Sequence, residues 1–234
     1  IKKPSDFAER HGFTVAGLKS QLSRFKGLRV MVIGDLIVDE YINCDALGMS
    51  QEDPTLVVTP IEKKQFVGGA GIVAAHAQAL GAETHYFTVA GEDEPASFAR
   101  NTLASYGVMS TIIVDDSRPT TLKQRFRAAG KTLLRVSHLR QHDIRPDIAK
   151  KIEKAVEKHI RKTDLIIFSD FNYGCLPQGL VDHIIQLGAK YGIPMAADSQ
   201  ASSQISDVSR FNGMKLLTPT EREARLALRD SNSG

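Results

Sequence analysis

The stretch Leu28-Arg-Val-Met-Val-Ile-Gly-Asp-Leu-Ile-Val-Asp39 decides the fold. Its apolar run from Val30 to Ile33 shows no polar alternation, which marks a strand buried on both faces, as in a parallel sheet. Similar runs recur at 84–90, 110–114, 164–169, 194–197 and 214–218. Between them, Ile148, Ile152, Val156 and Ile160 recur at helical spacing, as do Leu180, Ile184 and Leu187, and these predict helices lying on the sheet. The alternation predicts an α/β chain with a doubly wound, mostly parallel sheet flanked by helices. Ligands of such sheets bind beyond the carboxyl ends of the strands.

Two stretches break the alternation: Leu56 to Phe66, and Thr120 to Phe126 followed by Thr132 to Val136. Both read as extended hairpin material, the second with Ala129-Gly130-Lys131 as its turn. Strands inserted between βα units do not easily join the parallel sheet. They predict a small β-strand lid over its carboxyl edge, with lid strands at about 40–66 and 120–136. Residues 1–27 read as a basic helical leader or linker, with Phe7, Phe13, Leu18, Leu22 and Phe25 as apolar anchors, and 28–234 as one domain.

Composition narrows the function. The formal charge is +3, but residues 1–30 hold seven Lys/Arg against two acids, leaving 23 against 25 for the rest. The body has no cationic excess with which to neutralise phosphates, so no nucleic-acid partner is expected. No apolar run reaches the roughly 18 residues of a membrane span, so no membrane association is expected either. Only two cysteines occur, Cys44 and Cys175, which with the missing signal segment points to the cytoplasm. The seven histidines show no metal-binding spacing, and His76 reads as a packed or solvent-edge residue.

Several residues fall where ligands are expected. Strand alternation puts Asp35 and Asp39 on one side of the first strand, where two carboxylates suit the vicinal hydroxyls of a sugar. The structural alternative is that Asp35 caps a turn and Asp39 is merely exposed. Gly68 and Gly69 open an alanine-rich helix, either to admit a ligand to bare backbone or to pack closely on the sheet. Lys123 and Arg125 share one lid face, with Arg135 on the partner strand; they bind a substrate phosphate or form a solvated face. Asp170 and Asp198 end strands at the ligand edge, where helix capping is the alternative. Thr220 and Glu223 form the pattern Thr-x-x-Glu, a capping box.

Taken in order, Gly34 to Asp39, Ser50-Gln-Glu-Asp-Pro54, Gly68 to Gly81, Pro119 to Arg125, Ser169-Asp170 and Thr218 to Glu223 resemble the ribokinase-like (phosphofructokinase B type) carbohydrate kinases. Within them the chain is most similar to the heptose-7-phosphate kinase domains of ADP-heptose synthesis. The resemblance implies transfer of the ATP γ-phosphate, with Mg²⁺, to a hydroxyl of a sugar or sugar phosphate. It implies that Asp35, Asp39, Gly68, Gly69, Lys123, Arg125 and Asp170 bind substrate. Asp198, Thr220 and Glu223 would lie by the nucleotide, with Glu223 also ordering the metal and its waters. It further implies a homodimer through the lid.

The sequence departs from the family pattern at Ile72, His76, Tyr173, Gln200 and Thr220, each in place of a sugar, phosphate or metal contact. The family's general base, the aspartate of a Gly-Ala-Gly-Asp motif, does not occur in the 234 residues, so no catalytic residue is assigned and this chain alone is expected to show no sugar-dependent ATP turnover. The alternative reading is a catalytically degenerate kinase-fold domain that binds a sugar phosphate or nucleotide, or acts as a scaffold. A dinucleotide-dependent dehydrogenase shares the layer architecture but needs a Gly-x-Gly-x-x-Gly fingerprint that the glycine stretch lacks.

Overall fold

The computed structural model describes residues 4–200 and 208–229, so Ile1 to Lys3 of the leader and the polar segment from Asp230 lie outside the described residues. Helices α1 (Pro4–Arg10) and α2 (Val15–Ser23) precede β1 (Arg29–Gly34), β2 (Leu36–Met49) and β3 (Leu56–Gly69). Then follow α3 (Ala70–Ala79), β4 (Glu83–Ala90), α4 (Glu94–Ser105), β5 (Met109–Val114), β6 (Thr121–Ala128) and β7 (Lys131–His138). The remainder is α5 (Pro146–Ile160), β8 (Leu165–Asp170), α6 (Gln178–Lys190), β9 (Met195–Ser199), β10 (Leu216–Leu217) and α7 (Glu221–Leu228).

Six strands form the central sheet in the order β10-β9-β8-β1-β4-β5, every neighbour parallel. Strand β1 sits inside it, which is why Val30 to Ile33 are apolar without alternation: Met31 and Ile33 pack toward α5 and α6, Val30 and Val32 toward α3 and α4. Ile148, Ile152, Val156 and Ile160 are the buried stripe of α5. On the other face α3 buries Ala70, Gly71, Ala74 and Ala75, and a Cβ on Gly71 would lie 2.5 Å from Val67, so the helix lies close to the strands because its side chains are small. The last strand is shorter than its apolar run, only Leu216–Leu217, at the sheet's edge.

The lid is a second, four-stranded sheet of order β3-β2-β6-β7. Its pairs β2–β3 and β6–β7 are antiparallel, while β2–β6 is parallel. The β6–β7 turn is tighter than Ala129-Gly130-Lys131. Lys131 already pairs with Ala128, and the two turn residues have φ of 47° and 76°, the left-handed pair that a two-residue hairpin needs.

One reading needs correction here. The chain from Val32 to Asp39 is not one strand: Gly34 still pairs with Ser169 of β8, and Leu36 already pairs with Gly69 of the lid. Asp35 is therefore the crossing residue between the two sheets and Asp39 lies in the second, so period-two alternation does not carry from one to the other. In the leader, Phe7, Phe13, Leu18 and Leu22 are exposed and no residue of α2 is buried. No described helix is long and apolar enough to cross a membrane.

Candidate functional site

The carboxyl ends of β1, β8 and β9 and the inner face of the lid meet around the turn Phe171 to Cys175. Asp35, buried at the end of β1, holds that turn: Oδ2 accepts from the Phe171 and Tyr173 amides at 2.7 and 3.5 Å, and Oδ1 from Cys175 at 3.2 Å. Asn172 and Gly174 take positive φ within it, and a Cβ on Gly174 would lie 2.1 Å from the His142 carbonyl. Burial, and after it the charge of Asp170, raises the Asp35 carboxyl to about 6. Asp170 is equally enclosed. Its Oδ2 accepts from Ser199 at 2.9 Å and Arg210 at 3.0 Å, and its Oδ1 from the Asn172 amide at 3.0 Å. The turn-capping alternative describes Asp35; Asp170 caps no helix, and its oxygens are turned inward on the Asn172 amide, Ser199 and Arg210.

Arg118, which the sequence analysis did not single out, braces the same turn from behind. Its buried guanidinium donates to Asp115 at 2.9 Å, to the Tyr173 carbonyl at 2.8 Å and to the His142 carbonyl at 2.7 Å. The only signal for it was Asp115-Asp-Ser-Arg118 after an apolar strand, which reads equally as an exposed turn.

Register places the polar residues of the lid. Asp39, Tyr41 and Asn43 of β2 stand beside Lys123, Arg125 and Arg127 of β6, and Arg135 and Ser137 of β7 stand opposite Arg125 and Lys123. Because side chains alternate, these share one face. Asp39 accepts from Arg125 at 2.5 Å, and that guanidinium lies 5.1 Å from the Tyr41 ring; the bond to Asp39 raises the arginine above its ordinary value. Lys123 instead stands over two rings, 5.7 Å from Phe171 and 5.0 Å from Tyr173. Two cavities open on this face. One of about 590 Å³ is lined by Asp39, Tyr41, Asn43, Lys64, Phe66 and Arg127. The other, about 310 Å³, includes Lys123, Arg125, Arg135, Ser137 and Tyr173 in its wall.

The glycine pair joins the two sheets. A Cβ on Gly68 would lie 2.4 Å from Asp39 Oδ2, and one on Gly69, whose φ is 59°, would lie 2.4 Å from the Asp35 carbonyl. Gly69 is required by its positive φ and by the backbone it meets, whereas Gly68 leaves room for the Asp39 carboxylate against bare backbone. His76 is exposed on α3, away from this face.

Toward the other edge, Asp198 accepts from Thr218 at 2.8 Å. Thr220 and Glu223 form the capping box of α7: the Thr220 amide donates to Glu223 Oε2 at 2.7 Å, and the Glu223 amide to the threonine hydroxyl at 3.3 Å. Gln200 contributes backbone, its amide to Asp170 and its carbonyl to Asn172. Among the described residues no three His, Cys, Asp or Glu side chains converge as metal ligands. Glu223 Oε2 accepts from the Thr220 amide and hydroxyl; a carboxylate is the type of group that would order the waters of a nucleotide-borne Mg²⁺, which keeps most of its ligands as water and phosphate oxygen.

Residues 28–233 match the pfkB family carbohydrate kinases. The bifunctional protein HldE of Geobacter sulfurreducens is 30% identical over 221 residues, covering 92% of this chain and 44% of that protein. HldE of Aliarcobacter butzleri is 32% identical over 211 residues, covering 87% and 43%. The chain thus spans less than half the length of these relatives. Phosphofructokinase-2 from Escherichia coli in complex with fructose-6-phosphate superposes with a TM-score of 0.68 at 15% identity, over 88% of this chain and 66% of that one. A carbohydrate kinase from Agrobacterium tumefaciens gives 0.64 at 16%, over 86% and 63%. Both likenesses are in the fold.

Proposed function

Because the chain belongs to the pfkB family of carbohydrate kinases, we propose that it serves transfer of the ATP γ-phosphoryl group to a hydroxyl of a sugar phosphate, heptose-phosphate-like as the sequence resemblance implies. The observation that carries this reading is the lid's inner face. There the Asp39–Arg125 pair stands beside a cavity walled by two further cations, Lys123 and Arg135. Arg125 is already matched by a carboxylate, so Lys123 and Arg135 are the cations that supply charge for a substrate phosphate, as point charge and fork respectively. Asp39, held by Arg125, accepts from sugar hydroxyls against the Gly68 backbone.

Phosphoryl transfer depends chiefly on positioning and on neutralising charge. Lys123, Arg135 and Asp39 position the acceptor sugar, while Asp198, Thr220 and Glu223 lie on the side assigned to the nucleotide. Mg²⁺ bound with ATP would supply charge neutralisation at the phosphates, and Glu223 is the residue that would order its waters.

Asp39→Asn is expected to weaken binding of sugar phosphates by about ten- to a hundredfold, the loss of a charge-assisted acceptor worth roughly 1.5 to 3 kcal/mol, and to leave folding intact. Calorimetry against hexose and heptose phosphates and their unphosphorylated sugars measures it. Equal affinity for both sets, or an Asp39→Asn protein that binds as wild type does, would overturn the substrate assignment. A second reading, binding without turnover, draws on Tyr173, whose ring lies beneath Lys123 at a position where the family pattern has a lysine. ADP release by the full-length protein, with and without sugar phosphate, separates the two.

We also propose that the lid's other face pairs two copies. Ile61 and Leu134, exposed and alternating with Glu62 and Arg135, leave apolar area uncovered on that face. Sedimentation at micromolar concentration should show a dimer, which Leu134→Lys disperses; a wild-type monomer would sink the proposal.

A further inference from the structure

Lys123 differs from the carboxylate-paired cations of the lid in how its charge is held. Arg125 is neutralised by Asp39, and the Lys64 and Lys63 ammonium groups by Glu62 and Glu40. Among the described residues Lys123 has no carboxylate partner; what it has is the faces of Phe171 and Tyr173, stacked on each other at 6.5 Å with 26° between their planes. An aromatic face attracts a cation without cancelling its charge. The backbone that carries the rings is itself fixed, since Asp35 holds the amides at both ends of their turn and Arg118 holds the Tyr173 carbonyl.

We infer that Phe171 and Tyr173 form an aromatic shelf that positions Lys123, so that its ammonium enters the cavity beside Arg135 already ordered and with its charge not cancelled by a carboxylate. Both are positioning residues: they act on the ligand through Lys123. The inference deepens the proposed function and rests on it only for the identity of the anion. A free lysine side chain gives up its rotamer freedom on binding, and the shelf removes that cost beforehand. It also ties anion affinity to the end of β8, so that a turn in the central sheet sets the selectivity of the lid.

The test has two independent readouts. In the unliganded protein, ring currents should shift the Lys123 Cε protons upfield in NMR spectra. That shift should persist in Tyr173→Phe and vanish in the Phe171→Leu/Tyr173→Leu double variant. Titration with inorganic phosphate and with fructose 6-phosphate should then show affinity reduced about 2- to 30-fold in the double variant, near wild type in Tyr173→Phe, and weakest in Lys123→Gln. Unshifted Cε protons in folded wild-type protein would overturn the shelf. Tighter phosphate binding by the double variant would show that Lys123 must leave the rings to bind, and would overturn the positioning role. So would wild-type protein that binds neither probe. A kinase reading that fails in the ADP-release assay leaves the first readout and the phosphate titration intact, so the two failures are distinguishable.

Discussion

Gly34→Ala is expected to destabilise the protein by on the order of 3 kcal/mol or more, a large fraction of the roughly 5 to 15 kcal/mol that holds a domain of ordinary stability. A Cβ at this position would lie 1.8 Å from the Ser169 carbonyl oxygen and 2.7 Å from its carbon. Relief would have to come from the backbone, because the obstacle is a paired strand and not the end of a flexible side chain. That backbone has little room to shift: the Gly34 carbonyl accepts from Thr88 at 2.7 Å and from Tyr86 and Cys175 at 3.3 Å, and the Asp35 amide donates to Ser169 at 3.2 Å. Gly179→Ala is the control. Near the start of α6 nothing lies within 4 Å of the added carbon, so stability should rise by up to about 1 kcal/mol. Urea unfolding of the two variants measures both, and a Gly34→Ala protein with a wild-type midpoint would contradict the packing at the β1–β8 junction.

Asp35 should give stability an inverted response to acid. Its carboxyl stands at about 6 in the folded protein against an ordinary 3.8, so the folded state binds the proton more tightly than the unfolded one. The resulting stabilisation is fully present below pH 3.8 and is lost as pH rises through about 6; that shift amounts to about 3 kcal/mol. His85 works in the opposite sense. Burial first, and then His159, lower it from 6.5 to about 4, so stability is lost as pH falls through that window. Its partial exposure makes the effect smaller than the full conversion. The two slopes oppose each other between about pH 4 and 6. In Asp35→Asn only the histidine's remains, and the variant should lose ground to wild type steadily as pH is lowered across that range. Unfolding midpoints at half-unit steps give the difference; a constant gap between variant and wild type would refute the assignment.

Much of this architecture was legible because burial on two faces leaves a plain mark. Val30 to Ile33 and Leu165 to Phe168 could only be interior strands, and the four-residue recurrence from Ile148 to Ile160 could only be a helix face. The lid strands were legible as strands, but not their parallel β2–β6 pairing, which is made between residues far apart in sequence. Asp35 shows the same limit more sharply. Alternation along a strand said which way it points only if the strand continued, and the chain changes sheets at that residue. Lys123 and Arg125 were legible as one face, yet their different fates, one on aromatic rings and one on Asp39, depend on what the fold brings from β8 and β2. Tyr173 stood out only as a departure from a family pattern, since nothing local says that its ring will meet a lysine about fifty residues earlier.

Strands β2 and β3 each run 14 residues from a root where the Ala70 amide meets the Asp35 carbonyl. At roughly 3.3 Å per residue the ribbon reaches about 45 Å from that root. It is a lever: a tilt of about 5° at the root, a sub-ångström change in the glycine backbone, carries the far end through about 4 Å at this length. Were the ribbon to tilt as one body about Gly68, the displacement would be greatest at the turn at Ser50 and Thr55, where a pair of fluorescent labels would follow it.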